Sequence, residues 1–134
     1  MVVGEAMVIA GIGCRKGVGA EDVLAAIAQA LDHFSVPRPH LDGLATGEIK
    51  LDEGGIAEAS ATLGVPLRII SIAELKLADS RAVSSSEKSL ELTGVGSVSE
   101  AAALAAAGPR AVLLGPRLAV GPVTCAIAIS GDGK

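Results

Sequence analysis

Three short segments hold the residues best able to do chemistry. The first is Gly11-Ile-Gly-Cys-Arg-Lys-Gly17. Backbone N–H groups of a glycine-rich turn that opens a helix can hold an anion. Arg15 and Lys16 add two cations, and the stretch from Ala6 to Ala20 contains no acid. A carboxylate or phosphate suits such a spot. The spacing is not that of a dinucleotide fingerprint, because G-x-G-x-x-G counted from Gly11 ends on Lys16, and no Gly-Lys-Ser/Thr follows as in a P-loop. The plain alternative is a tight turn with solvated side chains. Cys14 stands beside both cations, where a thiol can be acidified. A cysteine nucleophile also needs a base, and neither His33 nor His40 is tied to it by spacing.

The second segment is Lys50-Leu-Asp-Glu-Gly-Gly55. Asp52 and Glu53 are adjacent and Glu48 is close; such carboxylates can do general acid–base work or simply form a solvated loop. Lys50 supplies a further cation. The third segment, Thr93-Gly-Val-Gly-Ser97, leads into Ser97-x-x-Glu100, a capping box. In an open α/β sheet, loops at the carboxyl ends of strands converge on one crevice, so two glycine loops on one edge can grip two acidic groups of a single ligand. A capping box with an ordinary lead-in is the competing reading. His33 and His40 have no companions at metal spacing, so neither a metal site nor a cofactor is expected. Cys125 lies in an apolar run and reads as core.

The elements that must position these segments follow from periodicity. Met7–Ile12 is a short apolar run and reads as a buried strand. Val23, Leu24, Ile27, Leu31 and Phe34 recur at helical spacing, with Glu21 and Asp22 in the first turn, where they favour the helix dipole. His40–Thr46 reads as a second strand. Ile56, Ala59 and Leu63 mark a second helix, closed by Gly64 and Pro66. Leu67–Ile70 is a strand, and Ser71-x-x-Glu74 caps a helix through about Ala78. Ser80–Ser89 is a polar loop. Val98–Ala107 is an alanine-rich helix stopped by Gly108-Pro109. Ala111–Leu114 and Val123–Ile129 are strands, with Gly115-Pro116 and Gly121-Pro122 bracketing a turn or hairpin. The order β-α-β-α-β-α-(loop)-α-β-β predicts a three-layer α/β/α domain over residues 1–134, with a mixed, mostly parallel sheet of about five strands.

Composition narrows the function classes. The chain has 134 residues, 11 basic and 15 acidic side chains, a net charge of −4, one aromatic (Phe34), and no Trp or Tyr. Nucleic-acid binding asks for a basic excess, and single-strand binding adds stacking aromatics; neither is present. No apolar run reaches the roughly 18–20 residues that span a bilayer. The apolar N-terminus lacks a basic n-region and contains Glu5, so a signal peptide is not expected. Two distant cysteines point to a reducing cytoplasm.

Taken together, Gly11-Ile-Gly-Cys-Arg-Lys-Gly17, Lys50-Leu-Asp-Glu53 and Thr93-Gly-Val-Gly-Ser-Val-Ser-Glu-Ala-Ala-Ala-Leu104 resemble the blocks of the CobE/CbiG C-terminal domain family of cobalamin biosynthesis, over nearly the whole chain. With this domain alone, the chain is similar to the stand-alone members. The resemblance implies a place in building the corrin ring. CbiG-type proteins open the ring-A lactone of a cobalt-precorrin-5 intermediate and release acetaldehyde. For a stand-alone member it implies binding or carrying a polycarboxylate precorrin or corrin intermediate; lactone hydrolysis and docking onto a pathway methyltransferase are the alternatives. The implied ligand-binding residues are Gly11, Gly13, Cys14, Arg15, Lys16, Gly17, Lys50, Thr93, Gly94, Gly96, Ser97 and Glu100. In the hydrolase alternative, Asp52 or Glu53 is the base that activates water.

Overall fold

The computed structural model describes residues 7–14, 17–48, 54–84, 90 and 95–130. Within them run β1 (Val8–Cys14), α1 (Ala20–His33), a 3-10 turn (Arg38–His40), β2 (Leu41–Gly47), α2 (Gly54–Leu63), β3 (Leu67–Ile70), α3 (Ile72–Asp79), α4 (Val98–Ala107), β4 (Val112–Leu113), β5 (Leu118–Val120) and β6 (Val123–Ile129). The sheet order is β3-β2-β1-β6-β4, with β5 also on β6. β1, β2 and β3 are parallel, and β6 is antiparallel to β1, β4 and β5. The expected mixed α/β architecture is therefore the observed one.

The two faces of the sheet are built differently. Alternation along β1 sends Val8, Ala10 and Ile12 to one face, where they pack with Val23, Ile27 and Leu31 of α1 and Ile56 and Ala59 of α2. Ile9, Ala45 and Ala128 face the other way, under Leu75 of α3 and Val98, Ala102 and Leu104 of α4. On that second face, small residues let the alanine-rich α4 lie directly on the strands. This is how a chain with one aromatic fills its core: large aliphatics on one side, close backbone approach on the other.

Three boundaries differ from the sequence reading. β1 continues through Gly13 and Cys14, because Gly11 and Gly13 pair with Ala126 and Thr124 of β6. His40 sits in a 3-10 turn, not in β2. The bracketed stretch after Gly115-Pro116 contains a strand, β5, which returns through Gly121 (φ +58) into β6. β4 and β5 share one edge of β6. Val112 lies opposite Ile129 and Leu118 opposite Cys125, so two extra residues bulge between them.

Candidate functional site

The parallel strands fix where the helices begin. β1, β2 and β3 end at Cys14, Gly47 and Ile70, and the chain leaves each of these ends into α1, α2 and α3. α4 begins at the same edge. A Cβ placed on Gly13 would lie 3.8 Å from Ser99 Cβ, whereas one on Gly11 would overlap the Ser99 carbonyl oxygen and come within 2.7 Å of Ala103 N. α4 therefore runs back along β1 with its first turn at the carboxyl end. Four helix N-termini gather at this edge, each carrying partial positive charge.

Among the described residues, side chains cap two of the four. Ile72 N–H at the start of α3 donates to Glu48 Oε2 at 2.7 Å, and Glu74 N–H donates to Ser71 Oγ at 3.2 Å. At α4, Glu100 N–H donates to Ser97 Oγ at 3.4 Å, and Gly96 N–H to Asp79 Oδ2 at 3.2 Å. α1 differs, since its N-cap is Gly19, which has no side chain of its own to cap with. α2 comes right up against that end. A Cβ on Gly55 would overlap the Val18 carbonyl oxygen and lie 2.9 Å from Gly19 C, so only glycine permits this meeting.

Several candidate ligand-binding residues of the sequence are packed within the fold. Gly11 and Gly13 are buried beneath α4. Glu100 is fully buried. Its Oε1 accepts N–H bonds from Val83 (2.9 Å) and Ser84 (2.7 Å), and its Oε2 accepts one from Arg117 (2.8 Å). The capping box is therefore one-sided: Ser97 caps the helix, while Glu100 turns inward. Cys14, half-buried, ends β1, and Gly17 (φ +78) forms the turn before α1. Gly96 and Ser97 enter the same edge from the α4 side. Arg15, Lys16, Lys50, Asp52, Glu53, Thr93 and Gly94 lie outside the described residues.

Sequence reasoning missed Glu48, Asp79 and Gly55. In sequence Glu48 stands beside the acidic loop, yet it is an N-cap acceptor for a helix 24 residues away. The one local signal was the glycine pair Gly54-Gly55 at a helix start. Cys125 is fully buried, and burial pushes its thiol up to about 12. His33 and His40 are exposed, and among the described residues no group of three His, Cys, Asp or Glu is placed to hold a metal ion. Among the same residues, no helix is long and apolar enough to cross a membrane. A surface cavity of 420 Å³ lies at the opposite edge of the sheet, lined by Arg38, Pro39, Leu41, Leu63 and Val65.

Residues 8–128 match the family model described as cobalamin synthesis G C-terminus. Protein CobE from Sinorhizobium sp is 32% identical over 120 residues, covering 90% of this chain and 78% of that protein. The crystal structure of CobE, a protein from the cobalamin (vitamin B12) biosynthetic pathway, superposes with a TM-score of 0.93 at 34% identity, over 100% of this chain and 97% of that one. The crystal structure of cobalamin biosynthesis protein chiG from Agrobacterium tumefaciens gives a TM-score of 0.76 at 45% identity, over 94% and 100% of the two chains.

Proposed function

Because the chain belongs to the cobalamin synthesis G C-terminal family, and so is a protein of cobalamin biosynthesis, we propose that it binds and carries a polycarboxylate precorrin or corrin intermediate at the carboxyl edge of β1–β3. The observation that carries this reading is the meeting of the α1 and α2 N-termini at Gly55, which only a residue without a Cβ allows. Two adjacent helix N-termini concentrate partial positive charge and N–H donors where rim carboxylates would sit.

The connecting segments add to the same reading. Arg15 and Lys16 fall between β1 and α1, and Lys50 between β2 and α2, so all three belong to connections that leave the carboxyl ends of strands. Charge-assisted bonds from such cations are the strong ones for carboxylates. A chain without Trp or Tyr meets the macrocycle with aliphatic surface and backbone, not with stacked rings. Its net charge of −4 opposes long-range attraction of a polyanion, so the local cations must provide it.

The test is a titration with hydrogenobyrinic acid, followed by its visible spectrum and by co-elution of colour with protein on gel filtration. Binding at or below roughly tens of micromolar is expected, with the Arg15→Ala, Lys16→Ala double variant about tenfold weaker. Absence of a spectral change and of co-eluting pigment would overturn the reading.

A further inference from the structure

We infer that Glu100 is a positioning residue: its carboxylate clamps two separate backbone segments onto the first turn of α4, and so sets the shape of the ligand-binding edge without touching the ligand. This rests on the reading that the ligand occupies the carboxyl edge.

The geometry is specific. Val83 and Arg117 lie 17 residues to either side of Glu100, and their N–H groups reach opposite oxygens of the one carboxylate. Ser84 N–H shares the first oxygen. A fully buried carboxylate is expensive unless its lone pairs are met, and three amide donors meet them here. Helix capping alone does not explain it. Ser97 already serves as the N-cap, and a capping-box glutamate ordinarily returns to the N-cap N–H.

Both clamped segments are irregular where they meet Glu100. Arg117 belongs to the two-residue bulge between β4 and β5, which a regular strand pairing would not contain. Val83 and Ser84 follow α3, and Gly96, just before α4, is tied back to Asp79 at the end of α3. The same helical turn carries Ser99, which lies over Gly13, next to Cys14. Moving α4's first turn therefore moves the wall of the edge beside β1.

A glutamine at position 100 keeps one carbonyl oxygen and turns an NH2 group toward the remaining amide donors, so one segment must let go. The decisive experiment is amide hydrogen exchange on Glu100→Gln together with its affinity for hydrogenobyrinic acid. Exchange about tenfold faster is expected at Val83 and Ser84 or at Arg117, the size of one lost hydrogen bond, with Ile27 and Ile127 unchanged. Affinity should fall several-fold in the same protein. Should that variant fail to fold, Ser84→Pro removes one donor and leaves the carboxylate in place; it should lose affinity while keeping its fold. Unchanged exchange at all three amides would overturn the clamp. Released segments with wild-type affinity would overturn the positioning role. If the wild-type chain binds no pigment, the binding reading and the positioning role both fall, and the exchange data still decide the clamp.

Discussion

At position 11 a methyl group would run into the Ser99 carbonyl and crowd Ala103. Gly11→Ala should therefore lift α4 off β1 and lower stability by about 2–3 kcal/mol, read as an earlier urea midpoint. The sequence shows the glycines but not the side from which a neighbour approaches. A ligand-gripping loop and a helix seated on a strand both ask for a missing Cβ, so Gly11 and Gly13 were legible as special and illegible as to why. Ser35 shows the reverse situation. It ends α1 at φ +58, with Val36 N–H donating to Leu31 O at 2.8 Å, in a left-handed helix stop that glycine adopts without strain. Ser35→Gly should raise stability by about 0.5–1 kcal/mol in thermal melts. Cys125 contributes a pH dependence. Its folded value, about 12, lies above the ordinary 9.0, so the unfolded chain loses this proton first. The stabilising effect of keeping the thiol neutral is complete below pH 9 and is lost as pH rises toward 12, by about 1 kcal/mol per pH unit. Denaturation midpoints of the wild type between pH 8 and 11 should fall more steeply than those of Cys125→Ala.

α4 is the element on which the fold turns, and both of its ends are held by distant side chains. At its C-terminus, Arg68 Nη1 donates to Ala106 O at 3.1 Å, and Arg81 Nη1 reaches Gly108 O, Pro109 O and Ala111 O at 3.4, 3.1 and 3.2 Å. These cations satisfy carbonyls at the negative end of the helix dipole. Arg81→Ala should lower stability by about 1–2 kcal/mol in thermal melts, whereas Lys76→Ala on the neighbouring helix should change it little. Most elements were readable because each carries its own periodicity and punctuation: Ser71 and Ser97 start helices, Gly64 and Gly108 end them, and Val123–Ile129 alternates. β5 was not readable. The four residues between the two Gly-Pro pairs hold no period, and Leu118–Val120 is a strand only because β6 offers a free edge beyond the bulge. The tie between Glu48 and α3 escaped for a related reason, since a cap supplied from 24 residues away leaves no local pattern.

On the scale of the whole molecule, the helix arrangement gives the two edges of the sheet opposite polarity. Helix N-termini gather where β1–β3 end. α2 ends at the other edge, where Leu63 and Val65 line the 420 Å³ cavity beside Arg38. That cavity is concave and has aliphatic walls, which are two attributes of a ligand site. Yet it sits at the carbonyl end of α2, a negative pole that disfavours a polycarboxylate, with Arg38 as the one cation among its described lining residues. The edge with less obvious concavity has the better electrostatics for an anionic rim, and for such a ligand charge complementarity should outweigh shape. The two edges can be separated by one substitution at each. Gly55→Ala must push the α1 and α2 N-termini apart, because its methyl group meets the Val18 carbonyl. Affinity for hydrogenobyrinic acid should fall about tenfold in that variant, while Arg38→Ala, which alters only the cavity, should bind as the wild type does. The opposite pattern, with Arg38→Ala weakened and Gly55→Ala intact, would move the ligand to the amino edge and leave the gathered helix N-termini with a purely architectural role.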